Sequence, residues 1–343
     1  MEISEIKQKQ NLCEGDWADL KTRGFLVLRN FLSSVEIAEQ ESAIGLAKLS
    51  AHKAFFTRIP SKKMESMCSK LEKLFPLIRS QAQIHIDSFA RDASYFETDK
   101  ANIDWHIDQH VYYLHQNMYD YINFWIPIVK PNPAKSGLSL IPMDVLAAKA
   151  PHVYQAILGR GAAVLRRDGG KHFIEYEKDG KKEKIDSSVA FDEIAVAPSL
   201  NAGDLLIVRG DVFHSTQDNE TARLALSIRA INSKGQMTLK NLLTMSGQKY
   251  RRLLLERVTY ANVLAAFFRF RNRKITVGQF ETFRNEYDQK NPIPYFIGRA
   301  SYLLFPTVLW FHKPRNADEA YAVDDIKYDL NYRKEAYVKA GGL

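Results

Sequence analysis

The stretch Gly203–Ile231, GDLLIVRGDVFHSTQDNETARLALSIRAI, decides how the rest of the chain is read. It divides into a turn, a strand ending near His214, a polar loop and a second strand from Arg223. Alternation along that second strand puts Arg223, Ala225, Ser227 and Arg229 on one face, and Leu224, Leu226, Ile228 and Ala230 on the other. Two guanidinium groups on one face of a half-buried strand are costly unless they meet anions. A bidentate contact with a carboxylate is the natural use of such a group.

Upstream, Tyr119–Val129 follows the same logic. Ile122, Phe124, Ile126 and Ile128 form an apolar face. Tyr121, Asn123 and Trp125 form the other, which mixes aromatic and hydrogen-bonding groups as a ligand pocket does. Further upstream stands W-H-I-D, with His106 and Asp108 two residues apart. On a strand, i and i+2 project side by side, so an imidazole nitrogen and a carboxylate oxygen would share a face. Such a pair supplies two corners of a 2-His-1-carboxylate triad, with His214 as the third ligand if strand pairing brings it near. The alternative is an ordinary hydrogen-bonded His–Asp pair; with nine His in the chain, a chance H-x-D is easily found.

Outward from these segments, Gly24–Leu32 is a short β-like run. Ser33 or Ser34 can cap a helix from Val35 to about Ser50, with Glu36, Glu39 and Glu41 near its start. Lys62–Gln83 is a second helical pattern. From Ile84 the texture is β-rich: Ile84–Glu97, Trp105–Leu114, Tyr119–Val129 and Ser136–Ile141, then a helical piece around Val145–Leu158. Strands follow near Ala162–Arg166 and His172–Glu177, with a hairpin turn at Asp179-Gly180, then Ile194–Ala197, Leu205–Val208 and Arg223–Ile231. These predict a mixed α+β fold: an antiparallel barrel or double-sheet jelly roll with helices packed outside. After Ser233-Lys234-Gly235 the pattern turns helical, at Leu239–Met245, Gln248–Arg273 and Val277–Gln289. Asp204 and Asp211 sit at Gly-Asp steps that turn chemistry explains.

The 343 residues are 45% hydrophobic and 26% charged, an ordinary globular composition that excludes collagenous, low-complexity and disordered classes. Cys13 and Cys68 cannot build a disulfide framework, and the first ten residues lack a signal peptide's apolar run, so a cytoplasmic protein is expected. Val258–Phe268 and Ala300–Phe311 fall short of the ~20 residues of a membrane span. The net charge of +8 lies wholly beyond residue 235, where 18 Lys and Arg face 10 Asp and Glu. Two regions are therefore expected: a neutral body over 1–235 and a basic, mainly helical region over 236–343. In 248–273 the basic residues interleave with apolar anchors. A solvated helix face is the common meaning, an anionic or membrane-surface partner the other, and a nucleic-acid groove does not fit.

Taken together, WHID, the Asn123–Trp125 NFW, the GDLLIVRGDVFH block and the RLALSIR strand resemble the phytanoyl-CoA dioxygenase-like family of iron(II)- and 2-oxoglutarate-dependent oxygenases, over roughly residues 20–232. The resemblance implies a double-stranded β-helix (jelly-roll, cupin-like) core. It further implies His106, Asp108 and His214 as Fe(II) ligands, Arg223 on the distal carboxylate of 2-oxoglutarate, and Trp125 and Asn123 beside that cosubstrate. Ser215 is a further candidate for a cosubstrate hydrogen bond. Arg229, six residues on along the same face, is an alternative to Arg223 or a holder of an acidic substrate group. The implied reaction consumes O2 and 2-oxoglutarate, releases succinate and CO2, and hydroxylates a small organic or lipid-like molecule. Asp108 favours hydroxylation over halogenation, because related halogenases leave that position empty. Two other readings stand beside this one: a hydroxylase of a protein or nucleic-acid target docked by the basic region, and a non-catalytic β-scaffold that binds a ligand. His110 and Tyr112 would share the ligand face of a straight strand; His115 and His152 are read as structural.

Overall fold

The computed structural model describes residues 14–44, 56–58, 65–90, 95–98, 102–108, 117–161, 163–168, 171–178, 181–239, 266–267 and 269–290. The chain divides into two compact units, Met1–Tyr176 with Glu183–Gly235, and Glu177–Lys182 with Gln236–Leu343. In chain order the strands up to residue 235 are β1 (Phe25–Leu28), β2 (Phe56–Arg58), β3 (Ser88–Phe89), β4 (Tyr95–Thr98), β5 (Tyr121–Val129), β6 (Leu138–Leu140), β7 (Val164–Asp168), β8 (Lys171–Lys178), β9 (Lys181–Asp186), β10 (Leu205–Arg209), β11 (His214–Thr216) and β12 (Leu224–Ile231).

A seven-stranded sheet runs β1-β10-β5-β12-β4-β2, with β3 also on β12, and every pairing in it is antiparallel. Its centre is β5 beside β12, where alternation works as the sequence predicts. Ile122, Phe124, Ile126, Leu224, Leu226, Ile228 and Ala230 join one core with Leu205 and Ile207 of β10. Trp17 and Leu20 of the Glu14–Thr22 helix and Met67 and Leu71 of the Glu65–Glu72 helix close that core from outside. Each such side chain contributes about 1.5–3 kcal/mol on burial. The opposite face carries Asn123 across from Arg229 and Trp125 across from Ser227.

A second set of pairings is built from shorter pieces: β6 with β11, and the meander β7-β8-β9. Single bridges join them, Leu140 to Val196, His106 to His214 and His106 to Val164. The segment around His106 therefore lies between β11 and β7.

Between β5 and β12 the register shifts: Ala225 faces Pro127, but Leu224 faces Val129. Ile128 is the extra residue of a β-bulge. Both Ile128 and Val129 pack on the core side.

Several expectations change. Lys62–Gln83 is a helix at Glu65–Glu72, a short turn at Phe75–Leu77 and a π-helical turn at Ile78–Ala82. Pro76 explains the break, since it lacks an N–H and its ring crowds the preceding turn. The piece around Val145–Leu158 is two helices, Met143–Lys149 and Pro151–Ile157, with Pro151 opening the second. Ile194–Ala197 holds only the Val196 bridge, after a Phe191–Ile194 helical turn. Ile84–Glu97 yields only β3 and β4 among its described residues. The helix after Ser33 spans Ser34–Ile44 and opens on a capping box: Ser33 N–H donates to Glu36 Oε2 at 2.7 Å, and Glu36 N–H to Ser33 Oγ at 3.3 Å.

Asp204 and Asp211 do more than shape turns. Asp204 is fully buried and accepts from Arg29 Nη1 and from the N–H groups of Asn30 and Asn201. Beside it, Gly203 has φ +84°, and a Cβ there would meet the Leu32 carbonyl oxygen at 2.9 Å. Asp211 accepts from buried Arg209 at 2.5 Å and from the Gly159 N–H at 2.8 Å.

In the second unit, β13 (Gln236–Thr238) pairs antiparallel with β14 (Lys274–Thr276), followed by a helix over Val277–Lys290. The strand pair is not anticipated by the sequence reading. Most of Gln248–Arg273, Leu239–Met245 beyond its first residue, and Ala300–Phe311 lie outside the described residues, as do Cys13, His110, Tyr112 and His115. No described helix is long and apolar enough to cross a membrane.

Candidate metal centre

His106 and His214 face each other as a hydrogen-bonded antiparallel pair: each N–H donates to the other's carbonyl oxygen at 3.0 Å. Directly opposed residues of such a pair project to the same side. The two rings accordingly stand 4.3 Å apart, centroid to centroid. Their neighbours point the other way. Trp105 and Phe213 are buried and both meet Phe191, edge-on at 5.8 and 4.9 Å. Trp105 also donates its indole N–H to Asp192 at 2.9 Å. An aromatic wedge behind the backbone thus fixes both histidine-bearing segments.

Each imidazole is oriented by a carbonyl. His106 Nδ1 lies 2.7 Å from Asp104 O, and His214 Nδ1 lies 3.0 Å from Val212 O. Carbonyl oxygens only accept, so Nδ1 carries a proton on both rings and each Nε2 turns inward, the usual arrangement for a metal-ligating histidine. Both Nε2 atoms lie 3.7 Å from the same oxygen, Asp108 Oδ1. Among the described residues, His106, Asp108 and His214 form a group whose three ligand atoms lie within 4.8 Å of one another.

Asp108 does not reach this position along a regular strand, because His106 is a lone bridge and Asp108 lies in unpaired chain. Its other oxygen, Oδ2, meets Arg229 Nη2 at 3.3 Å. That guanidinium is also held by Ser227 Oγ, which in turn donates to Asn123 Oδ1 at 2.9 Å. A polar chain on the ligand face of the large sheet therefore runs from Asn123 through Ser227 and Arg229 to the carboxylate. Trp125, fully buried, stands across from Ser227.

The protonation states follow. Burial, then the neighbouring His214, push His106 down to about 4, so its imidazole is neutral at pH 7. Burial would raise Asp108, but Arg229 and the two histidines outweigh it and hold the carboxyl well below the usual range. For His214, burial works downward, yet the hydrogen bond and charge of Asp108 prevail and raise it. A neutral imidazole and an ionised carboxylate suit a divalent ion.

Arg223 is buried at the other end of the same face; its Nη1 donates to the carbonyls of Ser136 and Gly137, both at 3.3 Å. It is kept apart from Asp108, whereas Arg229 is committed to it. Ser215 follows His214 on β11 and so projects from the opposite face, away from the three ligand atoms. His152 binds the Asp186 carbonyl at 2.8 Å, a structural role. The sequence reading missed Lys130. It is buried beside Arg223, and strict alternation from Ile122 would assign it to the apolar face.

No family model matches the sequence, and no curated protein matches it. Solved structures do align with the fold. The non-heme alpha ketoglutarate dependent epimerase SnoN from nogalamycin biosynthesis is 14% identical, covering 64% of this chain and 83% of its own, with a TM-score of 0.40. EctD from S. alaskensis with 2-oxoglutarate and 5-hydroxyectoine is 13% identical over 66% and 78%, at 0.41. A Pseudomonas putida prolyl-4-hydroxylase is 13% identical over 64% and 97%, at 0.37.

Proposed function

We propose that this chain is an iron(II)- and 2-oxoglutarate-dependent oxygenase of the phytanoyl-CoA dioxygenase-like kind. On this reading residues 1–235 form a double-stranded β-helix core, and 236–343 form a basic appendage. It oxidises a small organic or lipid-like substrate, releasing succinate and CO2, in a reducing compartment such as the cytoplasm. The observation that carries the reading is the convergence of two imidazole Nε2 atoms and one carboxylate oxygen, each second atom already held by the protein. That donor set on one side of an ion is the one used for ferrous iron, with positions left open for exogenous ligands.

Bound there, ferrous iron supplies chelation of a 2-oxo acid and activation of O2. The rest is done by the chain. Arg229 holds Asp108 Oδ2 and so turns Oδ1 alone toward the histidines. Arg223 offers a buried guanidinium to the distal carboxylate. Trp125 lines the same face between the two arginines, and Asn123 stands across from Arg229. Asp108 fills the carboxylate position, which favours hydroxylation over halide transfer.

The test is anaerobic loading of the full chain with Fe(II), followed by metal analysis and titration with 2-oxoglutarate. One bound iron and a visible charge-transfer band on adding the 2-oxo acid are expected, and both vanish in His106→Ala. A protein that refuses iron, or takes it without binding the oxo acid, overturns the reading.

A further inference from the structure

The two histidines are held unequally. His214 opens β11, a strand paired with β6, whereas His106 is a lone bridge. Asp104, whose carbonyl orients the His106 ring, lies in no strand. Side-chain contacts hold it instead. On β7, Val164 bridges His106, so alternation puts Leu165 and Arg167 on the side of Trp105. There Arg167 donates from Nη1 to Asp104 Oδ2 at 3.2 Å and reaches Asp192 Oδ2 with Nη2 at 3.5 Å. Trp105 takes the other oxygen of each carboxylate. Its backbone N–H donates to Asp104 Oδ1 at 2.8 Å, and its indole N–H donates to Asp192 Oδ1 at 2.9 Å. A ring thus closes through Trp105, Asp192, Arg167 and Asp104, which come from three separate stretches of chain.

The three charged side chains are about half exposed or more, and one such ion pair alone contributes little. A guanidinium differs in that its rigid planar fork sets the places of both carboxylates at once. Trp105 is buried and wedged against Phe191, so the ring is anchored at one corner. Asp104 is the corner that bears on the metal centre, since its backbone oxygen accepts from His106 Nδ1 at 2.7 Å. An outer partner of this kind fixes the direction in which a ligating imidazole points. We propose that Arg167 is a positioning residue for the metal centre: by bridging Asp104 and Asp192 it fixes the Asp104 carbonyl and, through it, the His106 ring. The inference rests on the metal-centre reading and adds to it a residue that touches none of the three ligands.

The experiment uses the full chain without oxygen, titrated with Fe(II) for affinity and loaded with Co(II) as a paramagnetic probe. Arg167→Met is expected to weaken Fe(II) about fivefold, the upper end for exposed ion pairs, with the urea midpoint unchanged. Asp192→Asn should cost about threefold, and the double variant no more than Arg167→Met alone, because both break the same ring. Arg167→Lys should recover only part of the loss, since an ammonium lacks the fork. In the Co(II) protein each ligating imidazole gives one shifted, exchangeable Nδ1–H signal by proton NMR. One of the two should move and exchange faster in Arg167→Met while the other stays. Unchanged affinity and signals overturn the proposal. So does a loss of stability with both signals moved, the mark of a merely structural arginine. If the wild-type chain takes neither Fe(II) nor Co(II), the metal-centre reading itself falls, and the proposal with it. A readout without substitution covers a variant that fails to fold. Salt screens exposed pairs, so raising NaCl to about 1 M should speed exchange of one Nδ1–H signal in the wild-type Co(II) protein. An equal response of both signals also overturns the proposal.

Discussion

Arg223, immediately before β12, and Arg229 within it lie six residues apart and donate to different groups. Arg229 faces a carboxylate and a hydroxyl, so its charge is matched inside the protein. Arg223 donates to the Ser136 and Gly137 carbonyls, beside Lys130. The same side chain therefore does two jobs. One end of the strand braces the carboxylate of the candidate metal centre. On the proposed function, the other receives the distal carboxylate of the 2-oxo acid. Burial alone does not separate them, since both are nearly inaccessible; the groups they donate to do.

The largest effect should come from the triad that Arg229 supports. Asp108→Ala removes one ligand and strands the guanidinium, and is expected to abolish both iron retention and 2-oxoglutarate consumption, read by metal analysis and succinate release. Retained iron at wild-type stoichiometry would dissolve the contrast between the two ends. Next come the arginines themselves. Arg223→Met should weaken 2-oxoglutarate about 100-fold at unchanged iron content, as loss of a buried charged contact does. Arg229→Met should instead weaken iron about 10–100-fold, the usual cost of losing an outer-shell partner. The reversed pattern would exchange their roles.

Lys130 sharpens the comparison through stability. Burial first, then Arg223, lower it from 10.5 to about 8, with Asp218 acting the other way. Between those two values the unfolded chain holds a proton that the folded chain has lost, so stability rises with pH there. Below pH 8 the full cost is present. Lys130→Met should therefore raise stability at pH 7 by roughly 1–3 kcal/mol and flatten the rise between pH 8 and 10. Urea melts at both pH values check this; a destabilised variant with an unchanged slope would place the lysine in ordinary packing. The smallest effect belongs to Ser227→Ala, which unties Arg229 from Asn123 and should loosen iron only a few-fold, about the net worth of one hydrogen bond.

Alternation made much of this legible. Along β12, the residues Leu224, Leu226, Ile228 and Ala230 all fall in the core, and the residues between them face the site. H-x-D named two of the three converging groups, although a backbone bridge rather than a regular strand positions them. What stayed hidden was non-local or broke the period. A one-residue bulge exchanges the faces of everything beyond it, so strict alternation gives no hint that Lys130 lies on the side of Arg223. Asp211 looked like turn punctuation because its buried pairing with Arg209 depends on the folded surroundings, with Tyr119 stacked on that guanidinium at 4.5 Å. The β13–β14 pair joins segments far apart in the chain, which no local pattern can announce.

The reciprocal backbone bridge between His106 and His214 also sets when the centre can come into being. More than a hundred residues separate the two histidines, and closing so long a loop is entropically unfavourable until the intervening strands have found their partners. Nascent or partly folded chain should hence have little grip on ferrous ion. On the proposed function, metal capture is then expected last in maturation, and the appearance of bound iron during refolding should trail the recovery of tryptophan burial.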